Sequence, residues 1–125
     1  MPIDPTQSYD PSNIFARILR GELPCNKVYE DEWALAFHDI RPQAPVHVLV
    51  IPKGSWVSWD DFTASAPGAE IAGFIRAVGE VTRVLGLDKP GYRLMVNMGQ
   101  DGHQEVAHFH VHIFGGRQFF EMIPG

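Results

Sequence analysis

The sequence predicts an α+β domain: an antiparallel sheet of about five strands with one short and one long helix. Three observations carry this reading. Apolar residues recur at three- and four-residue steps in two stretches, around residues 12–20 and 67–85. Five other stretches are short, β-branched or aromatic, and bounded by turn residues. The order helix, strands, long helix, strands lacks the strand–helix alternation of a parallel sheet.

The elements follow in order. Residues 1–11 hold three prolines among polar residues and read as an irregular N-terminal arm; residues 12–125 read as one domain. Ser12 is the expected N-cap of a helix reaching Arg20, with Gly21 at the C′ position. Ile14, Phe15, Ile18 and Leu19 form its apolar stripe. Lys27–Glu30 and Trp33–His38 read as strands around an Asp31-Glu32 turn. Asp39 follows the second, where a turn residue or a binding residue belongs. After the proline-stiffened loop 41–45 comes Val46–Ile51, the strongest strand, with His47, Leu49 and Ile51 on one face. Residues 52–67 give no clear period, although Trp56 and Trp59 suit a core edge or a partner surface. From Pro67 the apolar positions Ile71, Phe74, Ile75, Val78, Val81 and Leu85 mark the long helix, which Gly86 ends. Gly73 and Gly79 within it suit close approach of another element. Tyr92–Asn97 and Val106–Phe114 are the last strands. The loop between them carries Gly99 and Gly102, whose N–H groups suit an anion nest.

Composition narrows the function. A chain of 125 residues with 45% hydrophobic and 20% charged residues has the make-up of one globular domain. A net charge of −5 argues against binding a nucleic-acid backbone. The single cysteine, Cys25, precludes an internal disulfide, suits a reducing cytoplasm, and reads as a small semi-buried side chain. No apolar run approaches the roughly 20 residues of a membrane span. The N-terminus, Met1-Pro-Ile-Asp-Pro, lacks the pattern of a signal peptide. A cytoplasmic location without membrane contact is the expectation.

The chemistry concentrates at His108-Phe-His-Val-His-Ile-Phe114, closed by Gly115-Gly116. Histidine at alternate positions of a strand places His108, His110 and His112 on one face and turns Phe109, Val111 and Ile113 into a core. Half of the six histidines stand here. Zinc is one reading, because neutral imidazole is a common ligand. Reach counts against a single ion held by all three: His108 and His112 are roughly 13 Å apart along a strand, against Zn–N bonds of about 2 Å. A neighbouring pair with another histidine, His47 for example, stays open as a metal site. Nucleophilic and acid–base catalysis by adjacent imidazoles is the second reading. A core strand with incidental histidines is the third.

The pattern His108-x-His-x-His112 with apolar spacers resembles the histidine triad superfamily. Further segments resemble its Hint branch, the purine nucleoside phosphoramidate hydrolases. They are Ile14-Phe15, Ala36-Phe-His-Asp-Ile40, Pro42-Gln-Ala-Pro45, His47-Val-Leu-Val-Ile-Pro52, Gly91-Tyr-Arg93, Asn97 and Gly115-Gly-Arg117. The likeness spans about residues 13–118 and implies a single domain of the histidine-triad fold.

The resemblance also implies roles. His110 is the nucleophile toward a nucleotide α-phosphorus. His112 contacts the phosphate and, with His47, supports the attacking ring; His108 is the outer, more structural member of this catalytic group. Asp39 accepts hydrogen bonds from the ribose. Ile14, Phe15, Ile18, Phe37 and Ile40 sandwich a purine. Asn97, His103, Gln104 and Glu105 lie near the phosphate and leaving group. The implied reaction cleaves the P–N bond of purine nucleoside 5′-phosphoramidates, or acyl-adenylates, and releases a nucleoside monophosphate without a required metal or cofactor. Members are homodimers whose tails reach the partner's site, and the apolar segment Phe119–Gly125 suits that use. Two positions depart from the pattern: Ala107 stands where relatives often carry an aromatic residue, and Glu105 where animal members carry serine. The alternatives are a dinucleoside polyphosphate hydrolase or nucleotidyl transferase of the same superfamily, and a nucleotide- or zinc-binding scaffold.

Overall fold

In the computed structural model, which describes residues 2–122, the chain runs α1 (Ile14–Leu19), β1 (Lys27–Glu30), β2 (Ala34–His38), β3 (Val46–Pro52), α2 (Trp59–Ser65), α3 (Gly68–Val84), β4 (Arg93–Met95), β5 (Val111–Gly115). The strands form one sheet, ordered β1-β2-β3-β5-β4, with every neighbouring pair antiparallel. This is the predicted α+β architecture.

The period of two sorts side chains between the faces of this sheet. Ala34, Ala36, Val48, Val50, Val111 and Ile113 face α3 and join Phe74, Ala77, Val78 and Val81 in the larger core. Leu35, Phe37, Leu49 and Ile51 face the other way, where Phe15, Ile18 and Leu19 of α1 cover them. His47 and His112 belong to this second face, since each alternates with residues of the first. The β3–β5 register, with Leu49 opposite His112 and His47 opposite Phe114, puts both imidazoles side by side across two strands.

Several boundaries differ from the sequence expectation. The N-cap of α1 is Asn13, whose side chain accepts from the Ala16 N–H at 2.9 Å. Ser12 instead turns its hydroxyl onto Asp10 at 2.7 Å. Gly21 does take the left-handed conformation expected after the helix, at φ 79°. The strand expected from Trp33 starts at Ala34, because Asp31 Oδ1 accepts from both the Trp33 and Ala34 N–H groups and extends the turn. The strand expected over 92–97 is regular only over Arg93–Met95. Ile75 belongs to the expected stripe of α3 but is exposed.

The sequence reading also missed α2. Its N-cap Ser58 and Asp61 form a reciprocal capping box, a Ser-x-x-Asp signal present in the sequence. With seven residues and one buried apolar side chain, Phe62, the segment is too short to show a period. Phe62 stacks on Phe109, ring centroids 4.9 Å apart, and meets Phe74 edge-on. Trp56 covers the rim of the same core and donates its indole N–H to Glu70.

Candidate active site

The site lies on the second face, the one α1 covers. A cavity of about 900 Å³ opens there. Ile14, Phe15 and Ile18 of α1 line one side, and Phe37 and Leu49 of the sheet another. Asp39, Asn97, His103, Glu105, His110 and His112 supply polar groups. A mostly apolar cleft with a few convergent polar groups is the form of a small-molecule site.

Hydrogen-bond partners, backbone groups for His110, His47 and His108 and the His47 ring for His112, fix the tautomer of each imidazole. His110 Nδ1 lies 2.7 Å from the His108 carbonyl, which can only accept, so Nδ1 carries the proton and Nε2 keeps its lone pair. The Gln43 N–H donates to His47 Nδ1 at 3.1 Å, which places the His47 proton on Nε2. That Nε2–H points at His112 Nδ1, 2.9 Å away, and leaves the His112 proton on Nε2. His108 donates from Nε2 to the Pro52 carbonyl at 2.8 Å and accepts at Nδ1 from the Tyr9 hydroxyl at 2.7 Å. The cavity is therefore offered a free lone pair by His110 and an N–H donor by His112, two ring centroids 5.1 Å apart.

Electrostatics keep these rings neutral. Burial pushes His108 down to about 4. Burial, followed by the neighbouring His110 and His47, pushes His112 down to about 4. His110 and His47 are lowered as well, again chiefly by burial, with Asp39 opposing. A neutral His110 is a nucleophile near pH 7; an imidazolium is not.

Asp39, His47 and His112 each bring one ligand atom within 4.8 Å of the others, the one such group of His, Cys, Asp and Glu side chains among the described residues. Each of the three is already engaged in hydrogen bonds. The Gln43 N–H occupies His47 Nδ1, so the proton sits on the nitrogen a metal would need. The His47–His112 hydrogen bond occupies the second ligand atom. Asp39 Oδ1 accepts from the Arg41 N–H at 2.8 Å, and Oδ2 lies 3.5 Å from His47 Nε2.

Residues 20–119 match the HIT domain. The chain belongs to the HIT family. A HIT-like protein of Azospirillum brasilense, described as uncharacterized, is 62% identical over 117 residues, covering 94% of this chain and 96% of that one. A maize protein described as a 14 kDa zinc-binding protein is 43% identical over 113 residues, 87% of this chain and 85% of its own. The crystal structure of a HIT family hydrolase from Legionella pneumophila superimposes with a TM-score of 0.80 at 40% identity, covering 86% of this chain and 96% of that one.

In this HIT protein the cavity gathers Ile14, Phe15, Ile18, Phe37, Asp39, Ile40, Asn97, His103, Glu105, His110 and His112. His47 stands behind His112 and does not line the cavity. Two further expected site residues lie off the cavity wall. His108 is fully buried between Pro52 and Tyr9 and reaches no cavity wall, so it organises the group from behind. Gln104 is 1% exposed, with its amide bonded to the Val57 and Val106 carbonyls and to the Gly99 N–H. It ties a loop down and contacts no ligand space. The same bond takes the Gly99 N–H out of the expected anion nest.

His108 and His110 also precede the regular part of the strand expected over 106–114, which begins at Val111. Sequence reasoning missed the rim formed by Leu23, Pro24, Cys25, Asn26, Arg41 and Gln43. Cys25, expected to be semi-buried, is exposed on that rim. These residues lie in loops and carry no period, and their one signal is adjacency to α1 and Asp39. His103 Nε2 pairs with Glu105 at 2.7 Å on the opposite part of the lining.

Proposed function

We propose that this HIT protein hydrolyses the P–N bond of purine nucleoside 5′-phosphoramidates, and acyl-adenylates by the same route. The observation that carries the reading is the neutral His110 ring, its Nδ1–H held by the His108 carbonyl and Nε2 left for attack beside a cavity sized for a nucleotide. The apolar walls, Phe15 and Phe37 foremost, take the base, and Asp39 takes the ribose hydroxyls.

Attack by His110 Nε2 on the α-phosphorus forms a nucleotidyl-histidine and splits one difficult displacement into two easier ones. The ring becomes cationic as the N–P bond forms. The His108 carbonyl on Nδ1–H and the nearby Asp39 carboxylate both favour that charge. His112 donates from Nε2 to the phosphoryl oxygens, backed by the His47 N–H on its Nδ1. The P–N bond breaks as the leaving nitrogen takes a proton from solvent, and the neutral amine departs. Water then displaces His110 and frees the nucleoside monophosphate. No step of this mechanism needs a metal.

We propose further that the protein works in the cytoplasm as a homodimer. Leu94 and Met95 on the edge strand β4, with Phe120 and Met122, leave apolar surface exposed for a second copy. Light scattering at micromolar concentration should give twice the chain mass; the chain mass alone would refute the dimer. The activity test is AMP release from adenosine 5′-phosphoramidate in excess EDTA. Turnover supports the hydrolase. Absence of turnover by folded protein, with turnover of a dinucleoside polyphosphate instead, would replace this reading with that of the related pyrophosphate-cleaving enzymes.

A further inference from the structure

The arm before α1 touches the histidine segment and the loop leading to it at three points. The Ile3 N–H donates to the Gln104 carbonyl at 2.7 Å. The Pro5 ring lies against Gly99, its Cγ 3.2 Å from where a Cβ would stand. Tyr9 brings its hydroxyl 2.7 Å from His108 Nδ1 and meets that imidazole edge-on, centroids 5.6 Å apart. All three residues precede the stretch that matches the HIT domain.

We infer that Tyr9 is a positioning residue for His110: its hydroxyl holds the His108 ring, and the His108 carbonyl holds the ring that attacks. This rests on the reading of His110 as the nucleophile.

The sheet does not hold this part of the chain. The β3–β5 pairing runs from Val46 opposite Gly115 to Val50 opposite Val111 and stops there. The peptide after His108, whose carbonyl accepts the His110 Nδ1–H, therefore lies beyond the ladder. Its fixed points are the Phe109 ring, packed on Phe62 and Phe74 in the core, the Phe109 N–H, bonded to the Trp56 carbonyl at 2.8 Å, and the His108 ring. That ring is bonded at both nitrogens, to Pro52 on one side and Tyr9 on the other. Two bonds at opposite corners stop a planar ring from rocking; one bond leaves a pivot. Losing the Tyr9 bond frees the His108 ring to rock, and the motion passes through its own backbone to the His110 Nδ1–H bond. The reacting geometry tolerates little displacement.

The test is Tyr9→Phe in the full chain, which keeps the ring contact and removes the hydroxyl. The expected result is a fall in kcat of about tenfold on adenosine 5′-phosphoramidate, the scale of one lost hydrogen bond, with KM within about twofold because the cavity walls are untouched. Imidazole nitrogen NMR of the same variant should show both the His108 Nδ1 and the His110 Nδ1–H signals displaced. An unchanged kcat, or a loss arising from KM alone, overturns the inference. So does a shift confined to His108. If the wild-type protein leaves the phosphoramidate intact, the hydrolase reading fails on its own account. The NMR comparison then decides: a displaced His110 signal upholds the positioning role, and an unmoved one refutes it.

Discussion

At the scale of single residues, backbone carbonyls and amides, with the His47 ring for His112, leave each imidazole of the site one tautomer. His110 is the residue on which this converges. His110→Ala should lower kcat by on the order of 10³-fold or more, since on the proposed mechanism the variant loses the covalent route. Nucleotide should still bind, because the apolar walls are unchanged; equilibrium dialysis with AMP checks this. Loss of binding in proportion to activity would make His110 a ligand contact and not the nucleophile. The alternation of three histidines was legible in sequence. Their division of labour was not: His108 and His110 differ only in what stands beside them, Tyr9 and Pro52 for one and the cavity for the other.

At the scale of elements, α3 shows how a local preference yields to packing. Glycine inside a helix costs roughly 0.5–1 kcal/mol relative to alanine. Gly73 persists because the Trp33 indole lies over it; a Cβ there would come 2.4 Å from Trp33 Cδ1. The overpacking penalty is about 1–3 kcal/mol, larger than the propensity gain. Gly73→Ala should therefore lower stability by roughly 1–2 kcal/mol in urea unfolding. A stabilised variant would mean that Trp33 swings aside without cost. The close approach expected at Gly73 is thus present, whereas Gly79 meets only the flexible Arg83 side chain.

At the scale of the whole molecule, the buried imidazoles tie stability to pH. Their folded values lie below the ordinary histidine value of 6.5, at about 4 for His108 and His112. The unfolded chain therefore takes up protons as pH falls through 6.5, while the folded chain refuses them until about 4. Stability is highest above the unfolded value and declines across that window. Tm by calorimetry should hold steady above about pH 7 and drop as the pH is lowered toward about 5. A Tm that does not change over that interval would show that these rings are protonated in the fold. The same burial should keep hydrolysis active below the pH where a free histidine is half protonated.

By itself the sequence determined the α+β class, the strand that separates an aliphatic face from a histidine face, the long helix, and the residue types of the site. These follow from periods of two and 3.6, which each segment carries within itself. Tertiary structure alone decided which imidazole meets the cavity and which is walled in, that Gln104 ties a loop and touches no ligand space, and that Tyr9 reaches across from the arm to the triad. Such facts depend on pairs distant in sequence, 99 residues apart for Tyr9 and His108 and 65 for His47 and His112. No local period encodes a partner that far away; the β3–β5 register brings His47 to His112, and the docking of the arm brings Tyr9 to His108.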